Sequence, residues 1–360
     1  MKIVGIIAEY NPLHNGHLYH INKIKEIEKP DLIIGVISSS FTMRGDLSIY
    51  DKFTKTRQAL ELGLDIIIEN PIVYTIERAD IYAKNAIDIL NICKVNSIYV
   101  GSEENDILKY EKIYKENKEI ENNNKLSLKE NSNLDLLSND ILGYFYYKRI
   151  KDMNYDIKVN LIKRIDNNYN DKNLSNTNIS SATSIRLNLD KIKEYTPEFT
   201  HKDINNILNE NKLFKFIKYN ILNLNLNELK NIFFVDEGIE NKLKDVINYN
   251  NLDDFINYLS NKKYTKTRIK RMLIYILFNI KKDEINKIYQ EDINFIRVLG
   301  YSKHGKKYLS KNKKKITIYT NIKDGINNVL DIEFKISKIL DFIYNTNLIE
   351  LEQKGPITIK

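Results

Sequence analysis

The first hundred residues alternate between two patterns of apolar positions. Runs of consecutive apolar residues, typical of buried parallel strands, occur four times: KIVGIIAEY, PDLIIGVISSS, LDIIIENP and VNSIYVGSE. Between these runs lie three segments with helical spacing: HLYHINKIKEIEK, IYDKFTKTRQALELG (with Gly63 as its C-terminal stop) and ERADIYAKNAIDILNI. The resulting β-α-β-α-β-α-β order predicts a parallel sheet covered by helices, with ligands at the carboxyl ends of its strands.

The pattern becomes more polar after the fourth strand. Residues 103–138 are rich in Asn, Lys and Glu and predict irregular helices over one face. SNDILGYFYYKRIKD predicts a helix capped by Ser138 or Asn139, and DIKVNLIKRI predicts a last strand. NISSATSIRLNL predicts a helix that starts at Ser180 or Ser181.

Pro197 marks the predicted domain boundary. We expect an α/β domain at residues 1–195 and a mostly helical domain at residues 196–360. The most apolar and most basic helix of the second domain is predicted at KTRIKRMLIYILFNI, and KKITIYTNI is predicted as a strand.

Composition limits the class of protein. With 42% hydrophobic and 29% charged residues, the chain is typical of globular proteins, and its single cysteine excludes an intrachain disulfide. No stretch approaches a membrane span, so we expect a cytoplasmic protein without a membrane partner. The net charge of +8 permits a polyanionic partner, and because lysines abound throughout the chain, arginines carry more weight than lysines.

The stretch EYNPLHNGHLYH follows the first strand and contains the most specific chemistry. Pro12 ends the strand and fixes the turn, and a glycine in the first helical turn lets a nucleotide approach the backbone. The N-terminus of a helix attracts phosphate. His14 and His17, three residues apart, share one helical face and could both point at phosphate oxygens. Preorganised donors of this kind stabilise the charge that develops during group transfer.

Other interpretations of this stretch are weaker. A lone histidine on a helix is usually an ordinary surface residue, but two histidines around Gly16, directly after a parallel strand, favour function. Zinc binding is disfavoured because no Cys or acidic ligand is grouped nearby, so no metal-ligating residue is predicted.

Several motifs together resemble one enzyme family. H-x-G-H after a first strand resembles the nucleotidyltransferase superfamily, and GIIAEYNPLHNGHLYHI is similar to the bacterial tRNA(Met) cytidine acetate ligases. Further matching stretches follow in the same order along nearly the whole chain: SSSFTMRGDLSIYDKFTKTRQALELGLDIIIENPIVYTIERADIYA, YVGSE, SNDILGYFY, IKRIDNNYND, ISSATSIR, KYTKTRIKRMLIYILFNI and IRVLGYSKHGKKYL. The resemblance implies a Rossmann-like parallel sheet of the HxGH nucleotidyltransferase type, followed by a mostly helical domain.

The resemblance also implies a two-step reaction. ATP and acetate form acetyl-adenylate, and the acetyl group passes to the wobble cytidine of elongator tRNA(Met), giving N4-acetylcytidine. The first step needs positioning and charge relief at the α-phosphate, which suits His14 and His17 as catalytic residues with Mg2+ on the phosphates. Free acetate is the expected acyl donor, because no second glycine-rich loop is present to hold the pyrophosphate of acetyl-CoA.

The implied ATP-binding residues extend over one segment and three single positions. They are Ile7, Ala8, Glu9, Tyr10, Asn11, Pro12, Leu13, His14, Asn15, Gly16, His17, Leu18, Tyr19, His20, Gly101, Asn139 and Arg164. The alternative to ATP binding is that Asn139 only caps a helix and that Arg164 is only a surface residue of a strand.

Four further residues are candidates for phosphate or RNA contacts. Ser180, Ser181 and Arg186 lie where related enzymes keep a second phosphate-binding helix N-terminus, and a simple capping motif is the equal alternative. Arg44 in TMRGD could close over phosphates or RNA, or could pair with Asp46 as an ordinary loop arginine.

The second step requires an RNA surface. NKKYTKTRIKRM concentrates positive charge, and its expected tRNA-binding residues are Lys263, Lys266, Arg268, Lys270 and Arg271. Lys262 belongs to the same run, and YSKHGKKYLSKNKKK adds a second basic run. The alternative to tRNA binding is that these basic residues only form a solvated helix face. This alternative carries more weight for the second run than for the first. No protein partner is predicted.

Three departures from the family pattern concern the RNA or acetate contacts. Met43-Arg44-Gly45-Asp46 replaces Gln-Arg-Gly-Glu, Ser38-Ser39-Ser40 replaces Ser-Gly-Asn, and Tyr169-Asn170-Asp171 replaces Tyr-His-Asp. Two other functions remain open: a nucleotidyltransferase for a small metabolite, and a non-catalytic tRNA-binding module. The long basic C-terminal half argues against the first, and the intact His14, Gly16 and His17 argue against the second.

Overall fold

The computed structural model describes residues 1–122, 136–165 and 174–359. The strands within these ranges are β1 Ile3–Ala8, β2 Leu32–Ser38, β3 Ile66–Asn70, β4 Ser97–Ser102, β5 Lys158–Lys163, β6 Phe295–Tyr301, β7 Thr317–Tyr319 and β8 Ile357–Thr358.

The α-helices of the described ranges number from the N-terminus as follows: α1 Asn15–Glu28, α2 Lys52–Glu61, α3 Ile72–Thr75, α4 Ala79–Ile92, α5 Ile107–Asn122, α6 Ser138–Asp152, α7 Ala182–Leu187, α8 Ile192–Tyr195, α9 Asn211–Asn223, α10 Leu226–Lys230, α11 Ile239–Leu243, α12 Leu252–Leu259, α13 Lys266–Leu277, α14 Lys282–Tyr289, α15 Lys303–Asn312, α16 Asn328–Tyr344 and α17 Leu348–Lys354. Short 3-10 helices lie at Leu189–Lys191, Glu198–Asn206 and Lys244–Asn248. No helix in the described part of the chain is both long and apolar enough to cross a membrane.

The strands form one sheet in the order β5-β4-β1-β2-β3-β6-β7, with β8 beside β6. Strands β1 to β5 are parallel, and β6 runs antiparallel to β3. The order reverses at β1, which has β2 on one side and β4 on the other. Sheets of this kind bind ligands at such a reversal, beyond the carboxyl ends of the strands.

Alternation along β2 shows why the sheet is buried on both faces. Ile33 and Ile37 pack into one apolar cluster, whereas Leu32, Ile34 and Val36 pack into the other. Helix α4 contributes Ala83, Ile87 and Leu90 to the second cluster. The predicted Rossmann-like α/β fold with a helical C-terminal region is therefore confirmed, and so are the strands and helices predicted for the first hundred residues.

Three predictions of secondary structure need correction. Helix α6 begins at Ser138 after Leu137, without a side-chain cap, so neither Ser138 nor Asn139 caps it. One continuous helix, α5, covers much of the region expected to be irregular, and residues 123–135 lie outside the described ranges. The second half also contributes β6, β7 and β8 to the sheet: β7 lies within the predicted strand KKITIYTNI, whereas β6 and β8 were not predicted.

A buried charge network fastens the last helices of the chain to the sheet. Lys52 Nζ lies 2.7 Å from Glu69, 3.4 Å from Glu333 and 2.5 Å from Glu352, and all four side chains are buried. Arg297, within β6, lies 2.8 Å from Glu352. The division at residue 195 remains a prediction, and these contacts bind its two sides together.

Candidate active site

A cavity of about 700 Å³ opens where the sheet order reverses. Its wall includes the residues that follow β1, the end of β4 at Gly101, and Arg164 after β5. The second half of the chain contributes Glu210, Lys266 and Lys270. The cavity therefore joins the histidine stretch to the basic segment of the second half.

His14 and His17 form a reciprocal cap at the N-terminus of α1. His14 Nδ1 accepts a hydrogen bond from Gly16 N (3.1 Å), and His17 Nδ1 accepts one from His14 N (3.1 Å). A Cβ at Gly16 would lie 2.8 Å from His14 Cε1, so this glycine leaves room for the His14 ring. The two rings lie 3.9 Å apart, centre to centre. The motif thus fixes both histidines on one helix end.

Capping also determines where the imidazole protons lie. Burial, with the charges of Arg164 and Arg186, lowers the pKa of His14 to about 3. Burial also lowers the pKa of His17 well below its usual value. Both rings are neutral at pH 7, and because each Nδ1 accepts a hydrogen bond, each proton lies on Nε2. The pair therefore offers two neutral Nε2–H donors.

The turn before α1 is held from several directions. Tyr10 adopts a left-handed backbone conformation (φ 49°), and its buried ring meets the His17 ring edge-on at 4.9 Å. Asn11 Oδ1 accepts a hydrogen bond from Ile49 N (2.8 Å), and Arg186 Nη1 donates to Asn11 O (2.6 Å). These contacts fix the backbone that leads into the histidine pair.

The segment from Ile7 to His20 divides between cavity and core. Its cavity-lining members are Ile7, Ala8, Glu9, Tyr10, Asn11, His14, Gly16, His17, Tyr19 and His20. Pro12, Leu13, Asn15 and Leu18 do not line the cavity; Leu13 is fully buried, and Asn15 Nδ2 donates to the carbonyl of Asn178 (2.7 Å).

The three ATP-binding candidates outside the segment from Ile7 to His20 also lie in the wall of the cavity. Gly101, Asn139 and Arg164 all line the cavity. Asn139 N donates to Glu103 (3.2 Å), and its side-chain amide also donates to that carboxylate, so Asn139 has a partner outside its own helix. Arg164 N donates to Ser102 O (3.0 Å), while its buried Nε has no hydrogen-bond partner among the described residues. This unpaired Nε is a donor available to a ligand.

The two serines at α7 have different positions. Ser181 is the N-cap, accepting a hydrogen bond from Ser184 N (3.1 Å), and does not line the cavity. Ser180 does line it: the residue is 2% exposed, and its Oγ has no partner within the described ranges. Arg186 lines the cavity as well.

The loop arginine also faces the cavity. Arg44 lines it, as do the neighbouring Thr42, Met43 and Asp46. Asp46 forms its ion pair with Lys270, so the suggested pairing of Asp46 with Arg44 gives way to a contact with the second half of the chain.

The basic residues of the second half point in two directions. Lys263 and Lys266 are exposed, and the guanidinium of Arg268 stacks on Tyr264 at 4.4 Å. Lys270 and Arg271 are only partly exposed and turn toward the loop that carries Arg44. Lys266 and Lys270 line the cavity, whereas Lys263, Arg268 and Arg271 lie outside its wall.

Sequence reasoning missed Lys55, which supports the site from behind. This buried lysine donates to Ser38 O (2.8 Å), Ser39 O (2.7 Å) and Glu9 O (3.2 Å), joining the ends of β1 and β2. Burial lowers the pKa of Lys55 to about 7. The sequence feature that could have indicated its burial is helical spacing, which places Lys55 on the same helix face as the buried Ala59.

The carboxylates around the cavity are already engaged. Glu9 accepts a hydrogen bond from Met43 N (2.6 Å), and Glu210 accepts one from Leu47 N (2.8 Å). Burial raises the pKa of both carboxyls. Within residues 1–122, 136–165 and 174–359, no group of three His, Cys, Asp or Glu side chains could hold a metal ion. Tyr169-Asn170-Asp171 lies outside these ranges.

Comparison with known proteins agrees with this geometry. Residues 1–354 match the HIGH Nucleotidyl Transferase family, so fold and site together define a nucleotidyltransferase of the His-x-Gly-His class. A tRNA(Met) cytidine acetate ligase from Caldicellulosiruptor saccharolyticus is 36% identical, covering 94% of this chain and 93% of that protein. The ligase of the same name from Oceanobacillus iheyensis is 33% identical over the full length of both chains. The chain belongs to the tRNA(Met) cytidine acetate ligase family.

Solved structures match as well. The apo crystal structure of Thermotoga maritima TmcAL superposes with a TM-score of 0.84 at 26% identity, covering 100% of both chains. A second crystal form of that protein, bound with alpha-thio ATP, superposes with a TM-score of 0.82 at 24% identity.

Proposed function

We propose that the protein is an ATP-dependent tRNA(Met) cytidine acetate ligase, which uses acetate and ATP to acetylate the wobble cytidine of elongator tRNA(Met). The observation that carries the proposal is the neutral histidine pair on a helix N-terminus, facing a cavity whose rim includes the basic helix α13. Relatives with this activity in their names cover 94% and 100% of the chain. A tRNA substrate agrees with the cytoplasmic location that we predict.

The first step joins acetate to AMP. An acetate oxygen forms a bond to the α-phosphorus, and the bond to the bridging oxygen breaks, so pyrophosphate leaves with the electron pair. Acetate is already ionised at neutral pH and needs no general base. The Nε2–H groups of His14 and His17 would donate to phosphate oxygens as charge shifts toward pyrophosphate. Arg164, Ser180 and Arg186 would contribute further donors from the other walls.

The second step needs the cytidine in the same cavity. The exocyclic N4 attacks the acetyl carbonyl carbon, the bond to the phosphate oxygen breaks, and AMP leaves while the amine loses a proton. A base must leave its stack to reach such a site. The exposed Lys263 and Lys266, with Arg268, would bind the RNA backbone beside the opening without reading its sequence.

Mg2+ is expected as part of the nucleotide substrate. The carboxylates of Glu9, Asp46 and Glu210 all accept hydrogen bonds from protein groups, so they offer no open set of ligands. An ion carried on the triphosphate would reduce its charge without a protein cage.

The decisive experiment is mass spectrometry of tRNA nucleosides after incubation with ATP and labelled acetate. Labelled N4-acetylcytidine supports the proposal. Product from labelled acetyl-CoA without ATP would refute free acetate as the donor. Acetate-independent adenylylation of a small metabolite, or tRNA binding without pyrophosphate exchange, would favour the two other functions.

A further inference from the structure

Residues 41–47 form a tight loop in the cavity wall. Phe41 and Leu47 pair as an antiparallel bridge, Thr42 N donates to Asp46 O (2.9 Å), and Gly45 N donates to Thr42 O (2.9 Å). Arg44 lies at the tip of this 41–47 loop and lines the cavity that His14 and His17 also line. The position of Arg44 therefore depends on whatever holds the loop.

Helix α13 holds one side of the loop with two cations. Lys270 Nζ donates to the Asp46 carboxylate, and Arg271 Nε donates to Met43 O (2.8 Å). The backbones touch as well, because a Cβ at Gly45 would lie 2.8 Å from Arg271 N. The residues on both sides of Arg44 are thus fixed to one turn of α13.

The sheet holds the other side. Met43 N donates to Glu9 Oε1 (2.6 Å), and Glu9 directly follows β1. Met43 therefore bonds with its N–H to the strand end and with its carbonyl to α13. The loop is braced between the strand that leads into the histidine pair and a helix from the second half of the chain.

The basic run 262–271 accordingly has two groups with different partners. Lys262, Lys263 and Lys266 are exposed, and Lys263 Nζ pairs with Glu237 at the surface (2.6 Å). Lys270 and Arg271 are turned inward, and Lys270 Nζ and Arg271 Nε donate to the loop. Positive charge in sequence alone does not distinguish the two groups.

We propose that Lys270 and Arg271 are positioning residues of the ATP site, which hold the 41–47 loop so that Arg44 contacts the phosphoryl oxygens of ATP. An arginine at a phosphate gains from a fixed fork of donors, and a small displacement removes much of that gain. The inference rests on the proposed function only in taking ATP as the substrate.

ATP affinity, measured by calorimetry on the full chain without acetate or tRNA, tests the inference. Arg44→Ala and Lys270→Met should each weaken ATP binding about tenfold. Since Lys270 acts through the loop, the double variant should bind ATP no more weakly than Arg44→Ala alone. Lys270→Arg, which can still pair with Asp46, should recover most of the affinity.

Two controls separate positioning from general damage. Lys338→Met breaks a similar lysine–aspartate pair, 2.5 Å from Asp324, at a position of α16 whose side chain is 40% exposed, and should leave ATP affinity unchanged. If Lys270→Met unfolds, Asp46→Asn removes the same ion pair with a smaller change and should weaken ATP binding in the same way.

The outcomes are distinct. Wild-type ATP affinity in folded Lys270→Met or Asp46→Asn, with weaker tRNA binding, would overturn the inference and make Lys270 an RNA contact. Additive losses in the double variant would also overturn it. A wild-type chain that binds ATP but shows no acetate-dependent pyrophosphate exchange would refute the proposed function, while the affinity comparison would still decide the role of the loop.

Discussion

His14 and His17 each use one ring nitrogen for the fold and leave the other for a ligand. Nδ1 caps α1 in both residues, and Nε2 carries the proton. The same atoms that begin the helix therefore determine the tautomer needed to donate to phosphate. This explains why two histidines, rather than the usual Ser or Asp, occupy a capping box.

Replacing His17 with alanine should lower acetate-dependent ATP–pyrophosphate exchange on the order of 10²-fold, because a donor to the transition state is lost. The loss of the cap should also cost about 1 kcal/mol of stability. His17→Asn separates the two effects, since its side-chain oxygen can accept the His14 N–H without supplying an Nε2 donor. Wild-type exchange in His17→Asn would show that Nε2 takes no part.

Acid should destabilise the protein through His14. Its pKa is about 3 in the fold and near 6.5 when unfolded, so the unfolded chain binds more protons throughout that interval. The contribution of the buried, neutral His14 to the free energy of unfolding is complete above pH 6.5 and decreases as the pH falls. From pH 7 to pH 5, the free energy of unfolding should fall by up to about 2 kcal/mol more in the wild type than in His14→Asn, which keeps a good cap. Equal losses in urea titrations of both proteins would contradict a neutral buried His14.

At the scale of elements, α13 shows what a sequence pattern can and cannot predict. The pattern of KTRIKRMLIYIL predicts one packed face and one charged face, but the two properties separate along the helix. The basic residues precede Met272, and every residue from Met272 to Leu277 is buried. The basic residues of such a helix look alike in sequence, yet Lys266 is exposed and Arg271 bonds to a loop far away along the chain. Partners distant in sequence decide this difference, and hydrophobic spacing contains no information about them.

The contact between the 41–47 loop and α13 should not tolerate a side chain at position 45. Gly45→Ala combines a left-handed backbone (φ +83°) with a Cβ 2.8 Å from Arg271 N, and should cost about 1–3 kcal/mol. Gly325→Ala is the matched control, because Gly325 has φ +84° with nothing within 4 Å of its Cβ. Chemical denaturation should show a clearly smaller loss for Gly325→Ala, and equal losses would mean that the loop and α13 can separate freely.

For the molecule as a whole, five buried side chains connect the end of the chain to its beginning. Lys52 and Arg297 face Glu69, Glu333 and Glu352. Burial and the nearby Glu69 raise the pKa of Glu333 to about 8. Ser39 Oγ and Ile72 N also donate to Glu333.

Removing one carboxylate from this cluster should be costly. Glu352→Ala leaves Lys52 and Arg297 buried with less compensation and should lower the free energy of unfolding by about 3–5 kcal/mol. Glu350→Ala, two residues earlier on the same helix, removes a carboxylate whose side chain is 69% exposed and should change stability by less than about 1 kcal/mol. Similar thermal unfolding of the two variants would show that the network contributes little.

The sequence predicted most of the first half and the histidine pair, because strands, helices and the motif are all local patterns. It did not predict β6, whose FIRVLGY includes an arginine that is tolerated only because Glu352 lies beside it. It missed Lys55 for a related reason, since a buried lysine is recognised only once the carbonyls around it are known. Long-range polar pairing accounts for each of these omissions.

The place of β6 in the sheet has a consequence for biosynthesis. Strands β1 to β5 leave the ribosome first, but the outer edge of β3 waits for β6, which begins at Phe295. During that interval the nascent chain exposes an unpaired strand edge, the kind of surface that recruits other strands or chaperones. Ribosome-bound chains stalled at increasing lengths should become protease-resistant only once Glu352 has left the exit tunnel, because Glu352 pairs with both Lys52 and Arg297 of the sheet and its covering helix.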